Sequence, residues 1–279
     1  MKFFIRFLKV IKFISFRKYL EITYLTKLYL YKLIHYRKIV SPNTFASEWS
    51  NSLCKEGFYL GSFFDLNDKE VNELENEISS YFDLWHQKKT KKFFKVFDLK
   101  DITINRILKL ISKRDTNFFD FTNAYCSGEA VLHSAQYIIS NHESDLLKSS
   151  QLFHKDYASS ATFKLFIYLS DVENSSNGPF TFLLPFKESL YRKIRFFSIH
   201  KPPTWESLIT KDKKIEVLGK RGKVFLIDTY KLFHCGSRVD KNSKERRVII
   251  LTFRFKNLMS GTESWQNWTP KYLNDYTQI

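Results

Sequence analysis

The triplet His154-Lys155-Asp156 sets an imidazole and a carboxylate two residues apart, and His234 stands far downstream, with the pair Arg246-Arg247 beyond it. In a strand, residues two apart face the same side. His154 and Asp156 can therefore approach one ion together while Lys155 points away. A third ligand must come from another strand. His234 follows the apolar run Val224-Phe225-Leu226-Ile227-Asp228, at the place where such a strand would end. Two imidazoles and one carboxylate suit Fe(II) and leave neighbouring positions open for a co-substrate and O2. Zinc accepts the same donors, so the donor set alone leaves the metal open. His35, His86, His133, His142 and His200 have no comparable partner and read as surface or core residues.

These residues need a frame. The chain has 279 residues, is 43% hydrophobic and counts 28 Phe, enough to build a sizeable core and to exclude a disordered chain. No repeat or low-complexity run appears. Gly57-Phe58-Tyr59-Leu60 reads as a short strand after a turn. Asn67-Asp68 caps a helix that runs through Glu70, Val71, Leu74 and Ile78, with acids in its first turn. The stretch 102–111 is helical in pattern, and Lys88 to Lys92 reads as a solvated loop. From about Ala130 the period changes. Val131-Leu132-His133, Tyr137-Ile138-Ile139, 163–169, 180–184, 224–227 and 248–255 are short runs of strand formers between Asn, Ser, Gly and Pro clusters. Helices followed by many short strands indicate an α+β arrangement, with an antiparallel sandwich or barrel partly covered by helices.

The net charge of +16 is uneven. Residues 1–40 hold ten basic side chains against one acid, Glu21, and interleave them with Phe3, Phe4, Phe7, Leu8 and Ile11. The cations recur every three or four residues, as on one face of a helix. Their frequency argues against a membrane-spanning segment, and neither an unbroken apolar core nor a cleavage site marks a secretory signal. A basic amphipathic helix fits two settings. It can lie on an anionic membrane surface, or it can pack on the body of the protein. Nucleic acid is the weaker partner, since aromatics suited to base stacking are few here. Ser41-Pro42-Asn43 punctuates the chain, giving an extension over 1–40 and a main domain over 41–279 with its barrel core at about 125–258. Cys54, Cys126 and Cys235 follow no paired or metal-binding spacing. They fit a reducing cytosol, with contact at the inner membrane surface through residues 1–40, and Cys235 reads as a buried thiol.

In combination, several stretches resemble the phytanoyl-CoA dioxygenase family. They are Phe153-His154-Lys155-Asp156, Lys164 through Val172, Asn177-Gly178-Pro179-Phe180 with Pro185, Gly222 through Asp228, Phe233-His234-Cys235-Gly236-Ser237, and Arg246. The likeness covers roughly residues 50–256. It implies a double-stranded β-helix, a cupin-like jelly-roll barrel, in a non-haem enzyme dependent on Fe(II) and 2-oxoglutarate. By the resemblance His154, Asp156 and His234 would ligate iron. A basic residue past the distal histidine would hold the far carboxylate of 2-oxoglutarate, a task that suits a guanidinium. The family places that arginine seven positions before an aromatic, which selects Arg246, with Phe253, over Arg247. Ser237 would match a small hydroxyl residue that contacts 2-oxoglutarate, and Gln136 another co-substrate position. Lys164 is a further option for that contact unless it points to solvent. The Arg246 spacing from His234 is one residue longer than is usual in the family, which suggests an insertion near Cys235. Phe186-Lys187-Glu188 departs from the family at a loop bordering the substrate mouth. Halogenases of the group carry a small residue where Asp156 stands, so its carboxylate points to hydroxylation of a small organic substrate, lipid-linked or anionic. The competing reading is a non-catalytic barrel that serves as a membrane-associated binding module.

Overall fold

A computed structural model describes residues 42–82, 89–91, 94–126, 130–142, 145–147, 149–154, 156, 162–184 and 214–255. The basic segment 1–40, the loop at 186–188 and the tail after 255 lie outside the described residues.

Four helices lie in the first half of the described chain, interleaved with three short strands: α1 (Glu48–Glu56), α2 (Asp68–Phe82), α3 (Asp101–Arg114) and α4 (Phe118–Tyr125). Each is amphipathic. Val71, Leu74 and Ile78 of α2, and Ile104, Ile107, Leu108 and Ile111 of α3, recur at helical spacing and are buried. Helix α1 ends at Gly57, whose left-handed φ of 85° lets its N–H return to the Leu53 carbonyl. Helix α2 begins with a reciprocal cap. The Glu70 N–H donates to Asn67 Oδ1 at 3.0 Å, and the Asn67 N–H donates to Glu70 Oε2 at 2.9 Å.

The strands form two sheets with antiparallel pairing throughout. The larger has seven strands in the order β1-β8-β5-β10-β4-β3-β2. These are β1 (Phe58–Tyr59), β8 (Val224–Ile227), β5 (Thr162–Tyr168), β10 (Arg246–Phe255), β4 (Ala130–Ser140), β3 (Phe94–Asp98) and β2 (Lys89–Lys91). The smaller has three, β7 (Lys214–Val217), β6 (Phe180–Leu183) and β9 (His234–Cys235), in the order β7-β6-β9. A bridge from His154 to His234 lengthens it by one rung.

Two sequence expectations change in detail. The runs around Leu132 and Ile138 belong to one long strand, β4, whose register against β10 slips between Thr252 and Phe253. Residues 89–91, expected in a loop, pair with β3 at the sheet edge.

The large sheet is covered on both faces. Leu165, Ile167, Leu226, Ile249 and Leu251 join the helices in one core. On the other face, Phe166, Tyr168, Phe225, Ile227 and Val248 join Phe180, Phe182 and Val217 of the small sheet in a second core. Burial on both faces explains why β5 and β10 read as unbroken apolar runs rather than as alternating ones. It also gives the molecule an inside, between the sheets, where polar residues must be accounted for one by one.

Candidate metal centre and anion pocket

His154 and His234 sit directly opposite each other and exchange both backbone hydrogen bonds at 2.9 Å. Residues opposed in this way share a face, so the two imidazoles lie together with ring centroids 4.3 Å apart. Asp156, two residues on, is fixed by its own N–H to the Thr229 carbonyl at 3.1 Å. Its Oδ1 stands 3.8 Å from Nε2 of each histidine. The ligand atoms of all three side chains fall within 4.8 Å of one another.

The far side of each ring decides its tautomer. His154 Nδ1 lies 2.8 Å from the Leu152 carbonyl, and His234 Nδ1 lies 3.1 Å from that of Leu232. A carbonyl only accepts, so each Nδ1 carries the hydrogen and each Nε2 turns its lone pair toward Asp156. Phe180 stacks on the His234 ring at 5.3 Å. Burial pushes the His234 imidazole down to about 3, and Asp156 opposes this only in part. Burial would raise the Asp156 carboxyl, yet Lys164 beside it outweighs that and holds it well below the usual carboxylate range. At neutral pH the site thus presents a neutral His234 imidazole and an ionised Asp156 carboxylate, the protonation states a divalent cation requires of these two groups.

Asp156 is further supported from β8. The turn after this strand is pinned by buried Asp228. Its Oδ1 accepts the N–H groups of Tyr230 and Lys231, and its Oδ2 accepts the Tyr125 hydroxyl at 2.6 Å. This fixes Thr229, whose carbonyl takes the Asp156 N–H.

Arg246 and Arg247 part company. Arg247 faces the helices and pairs with Glu75 of α2 at 2.7 Å. Arg246 faces the space between the sheets and is 5% exposed. Its Nη1 donates to the Gly178 carbonyl at 2.7 Å, and its Nη2 donates to Ser237 Oγ at 2.9 Å and Ser140 Oγ at 3.3 Å. Its Nε is buried with no hydrogen-bond partner. No carboxylate among the described residues pairs with it. A buried guanidinium without a counter-charge is costly, and this one lies beside the segment that carries His234. Ser237 reaches Arg246 by adopting a left-handed backbone, φ 61°, uncommon for a residue with a side chain. The Gln151 amide, donating to the Ser237 carbonyl at 2.9 Å, secures that turn.

Gln136 lies on the same face of β4 as Ser140, opposite Ile250, but makes no hydrogen bond to Arg246 or to the histidines among the described residues. Lys164 does not point to solvent. Its Nζ donates to Asp156 Oδ2 at 2.5 Å. Cys235 is buried among Phe153 and Leu183. Ser140, Thr229 and Tyr125 carry no motif that would have singled them out, and Gly178 and Asp228 fall within stretches that carry the resemblance, which assigns them no role. They enter through sheet register and turn geometry, which one sequence does not display.

No protein-family profile matches the chain, and no curated protein does. Solved structures do. The epimerase SnoN, in complex with Fe3+, alpha ketoglutarate and nogalamycin RO, aligns with TM-score 0.52 and 11% identity over 77% of this chain and 91% of its own. HygX from Streptomyces hygroscopicus, with nickel and 2-oxoglutarate bound, gives 0.53 and 13% over 80% and 94%. EctD from S. alaskensis with bound Fe gives 0.51 and 13% over 77% and 78%. At such identities the likeness is one of fold, and the chain shares the cupin-like jelly roll.

Proposed function

We propose that this protein is a non-haem oxygenase dependent on Fe(II) and 2-oxoglutarate, acting on a small organic molecule. The observation that carries the reading is the pairing of two sites on one face: a convergent His-Asp-His group and a buried, uncompensated guanidinium beside it. One suits a divalent metal and the other a carboxylate. A co-substrate with a metal-binding end and a free carboxylate would satisfy both. The solved structures of like fold support this, since their own sites hold iron or nickel and, in SnoN and HygX, the keto acid.

In this reading His154, Asp156 and His234 hold the metal, which when bound supplies the means to activate O2. Arg246 holds the distal carboxylate of 2-oxoglutarate, with Ser237 and Ser140 orienting its guanidinium. The Gly178 carbonyl holds the remaining edge. Val248, Phe166 and Tyr168 wall the space between the sheets and exclude water from it. The Asp156 carboxylate fills the position that a halide would need, which favours hydroxylation among the outcomes open to this chemistry.

The test is turnover of 2-oxoglutarate to succinate with Fe(II) and O2, without added substrate. Wild type should turn over slowly and bind one metal per chain. Asp156→Ala and His154→Ala should lose metal affinity by at least about tenfold, and turnover with it. Full metal binding and turnover in both variants would refute the assignment.

A further inference from the structure

The two oxygens of Asp156 are not equivalent. Oδ1 faces both histidines, 3.8 Å from each Nε2. Oδ2 faces the other way and accepts from Lys164 Nζ at 2.5 Å. Lys164 issues from β5, flanked on both sides by β8 and β10 and paired with Ile227 and Thr252. It is therefore anchored in the interior of the large sheet, while Asp156 follows His154, which is bridged to the edge of the small sheet.

A carboxylate can ligate a cation through one oxygen or chelate it through two. The difference matters here. Three protein donors leave room for a bidentate keto acid and O2, and a chelating Asp156 would take one of those positions. From this geometry we infer that Lys164 is a positioning residue: it engages Oδ2 so that Asp156 offers the metal Oδ1 alone, and so keeps open the positions the co-substrate needs. This rests on the functional reading above. Lys164 touches neither metal nor co-substrate in this role. Its ammonium also repels the cation, so a residue kept here only to strengthen metal binding would be badly chosen.

The inference predicts a split that a merely structural lysine would not produce. Lys164→Met and Lys164→Arg, each checked for a native unfolding midpoint when metal-loaded, are compared with wild type using Co(II) and Ni(II), which bind without turnover. Lys164→Met should keep its Co(II) affinity or gain some. Its Co(II) ligand-field spectrum should change before any keto acid is added, reporting the extra oxygen donor. Affinity of the Ni(II)-loaded protein for 2-oxoglutarate should fall by about tenfold or more. Lys164→Arg, which retains a donor and a charge, should resemble wild type in both. An unchanged Co(II) spectrum in Lys164→Met overturns the inference even if 2-oxoglutarate binds less well, because the loss would then come from charge alone. Unchanged 2-oxoglutarate affinity also overturns it. If wild-type Ni(II) protein fails to bind 2-oxoglutarate at all, it is the functional reading that falls, a separate outcome.

Discussion

At the scale of single residues, the site is defined by how its polar atoms are partnered. Both histidines spend Nδ1 on a carbonyl and set Nε2 on the side of Asp156. Arg246 spends its two terminal nitrogens on Gly178, Ser237 and Ser140 and has no carboxylate partner among the described residues. That imbalance makes a specific prediction. Arg246→Met should weaken 2-oxoglutarate binding by roughly ten- to a hundredfold, the loss of about 1.5–3 kcal/mol expected for hydrogen bonds to a charged group. Metal-free stability should change by less than about 1 kcal/mol, since the substitution also removes an uncompensated buried charge. Calorimetric titration and denaturant unfolding check the two halves. The spacing of His154 and Asp156 and the distant His234 were legible in the sequence, because the chemistry of a metal site restricts residue type. The direction of Lys164 was not. Its strand is apolar on both faces, so Leu165 and Phe166 give no hint of which parity looks inward. The neighbours Val248 and Ile249 leave Arg246 and Arg247 equally ambiguous, and it was the resemblance, through the spacing to Phe253, that selected Arg246.

At the scale of elements, the helices were the most legible part. Helix α2 announces itself by Asn67 and Glu70, which form the reciprocal cap, and by the spacing of Val71, Leu74 and Ile78. Glu70 has a second task that a local motif does not show. Its Oε2 also accepts from Arg114 at 2.6 Å, and Arg114 bonds the Asp65 and Leu110 carbonyls, tying α2 to the end of α3. Burial acts to raise the Glu70 carboxyl, but Arg114 and the cap outweigh it and leave it below its ordinary 4.5. A depressed carboxyl contributes stability that is full above the unfolded value. That contribution is lost as pH falls through the lower folded value. Arg114→Ala should therefore cost about 1–3 kcal/mol near pH 7, and the gap to wild type should narrow below pH 4.5. Urea unfolding at pH 7 and pH 3.5 checks this, and an equal gap at both would count against it. Strands were harder to bound. Strand β9 has two residues and the His154 segment only a bridge, too short for any period. Strand β4 carries one extra residue, His133, between Leu132 and Ser134, where its register against β10 shifts, and this interrupts its alternation.

At the scale of the whole molecule, the helices close one face of the large sheet and the small sheet closes the other. The polar site is thus carried on the inner of two cores. The α+β reading with an antiparallel barrel follows from helix and strand order, but the enclosure depends on sheet order, which the sequence does not spell out. Charge belongs to this scale too. Much of the +16 sits in residues 1–40, and we propose that this segment attaches the protein peripherally to anionic membrane, at the cytoplasmic face. The full chain should co-sediment with vesicles rich in anionic lipid and release as salt rises. Replacing Lys2, Arg6, Lys9 and Lys12 with Gln should abolish most of that binding, and equal sedimentation of the two forms would remove the proposal.

The central claim is that one co-substrate spans the His154-Asp156-His234 group and Arg246. Its most direct test is an anaerobic calorimetric titration of 2-oxoglutarate into the full chain, with and without Fe(II). The account predicts one-to-one binding that needs the metal and is strongly weakened in Arg246→Met. Binding that ignores the metal, or no binding to the Fe(II)-loaded protein, would contradict it.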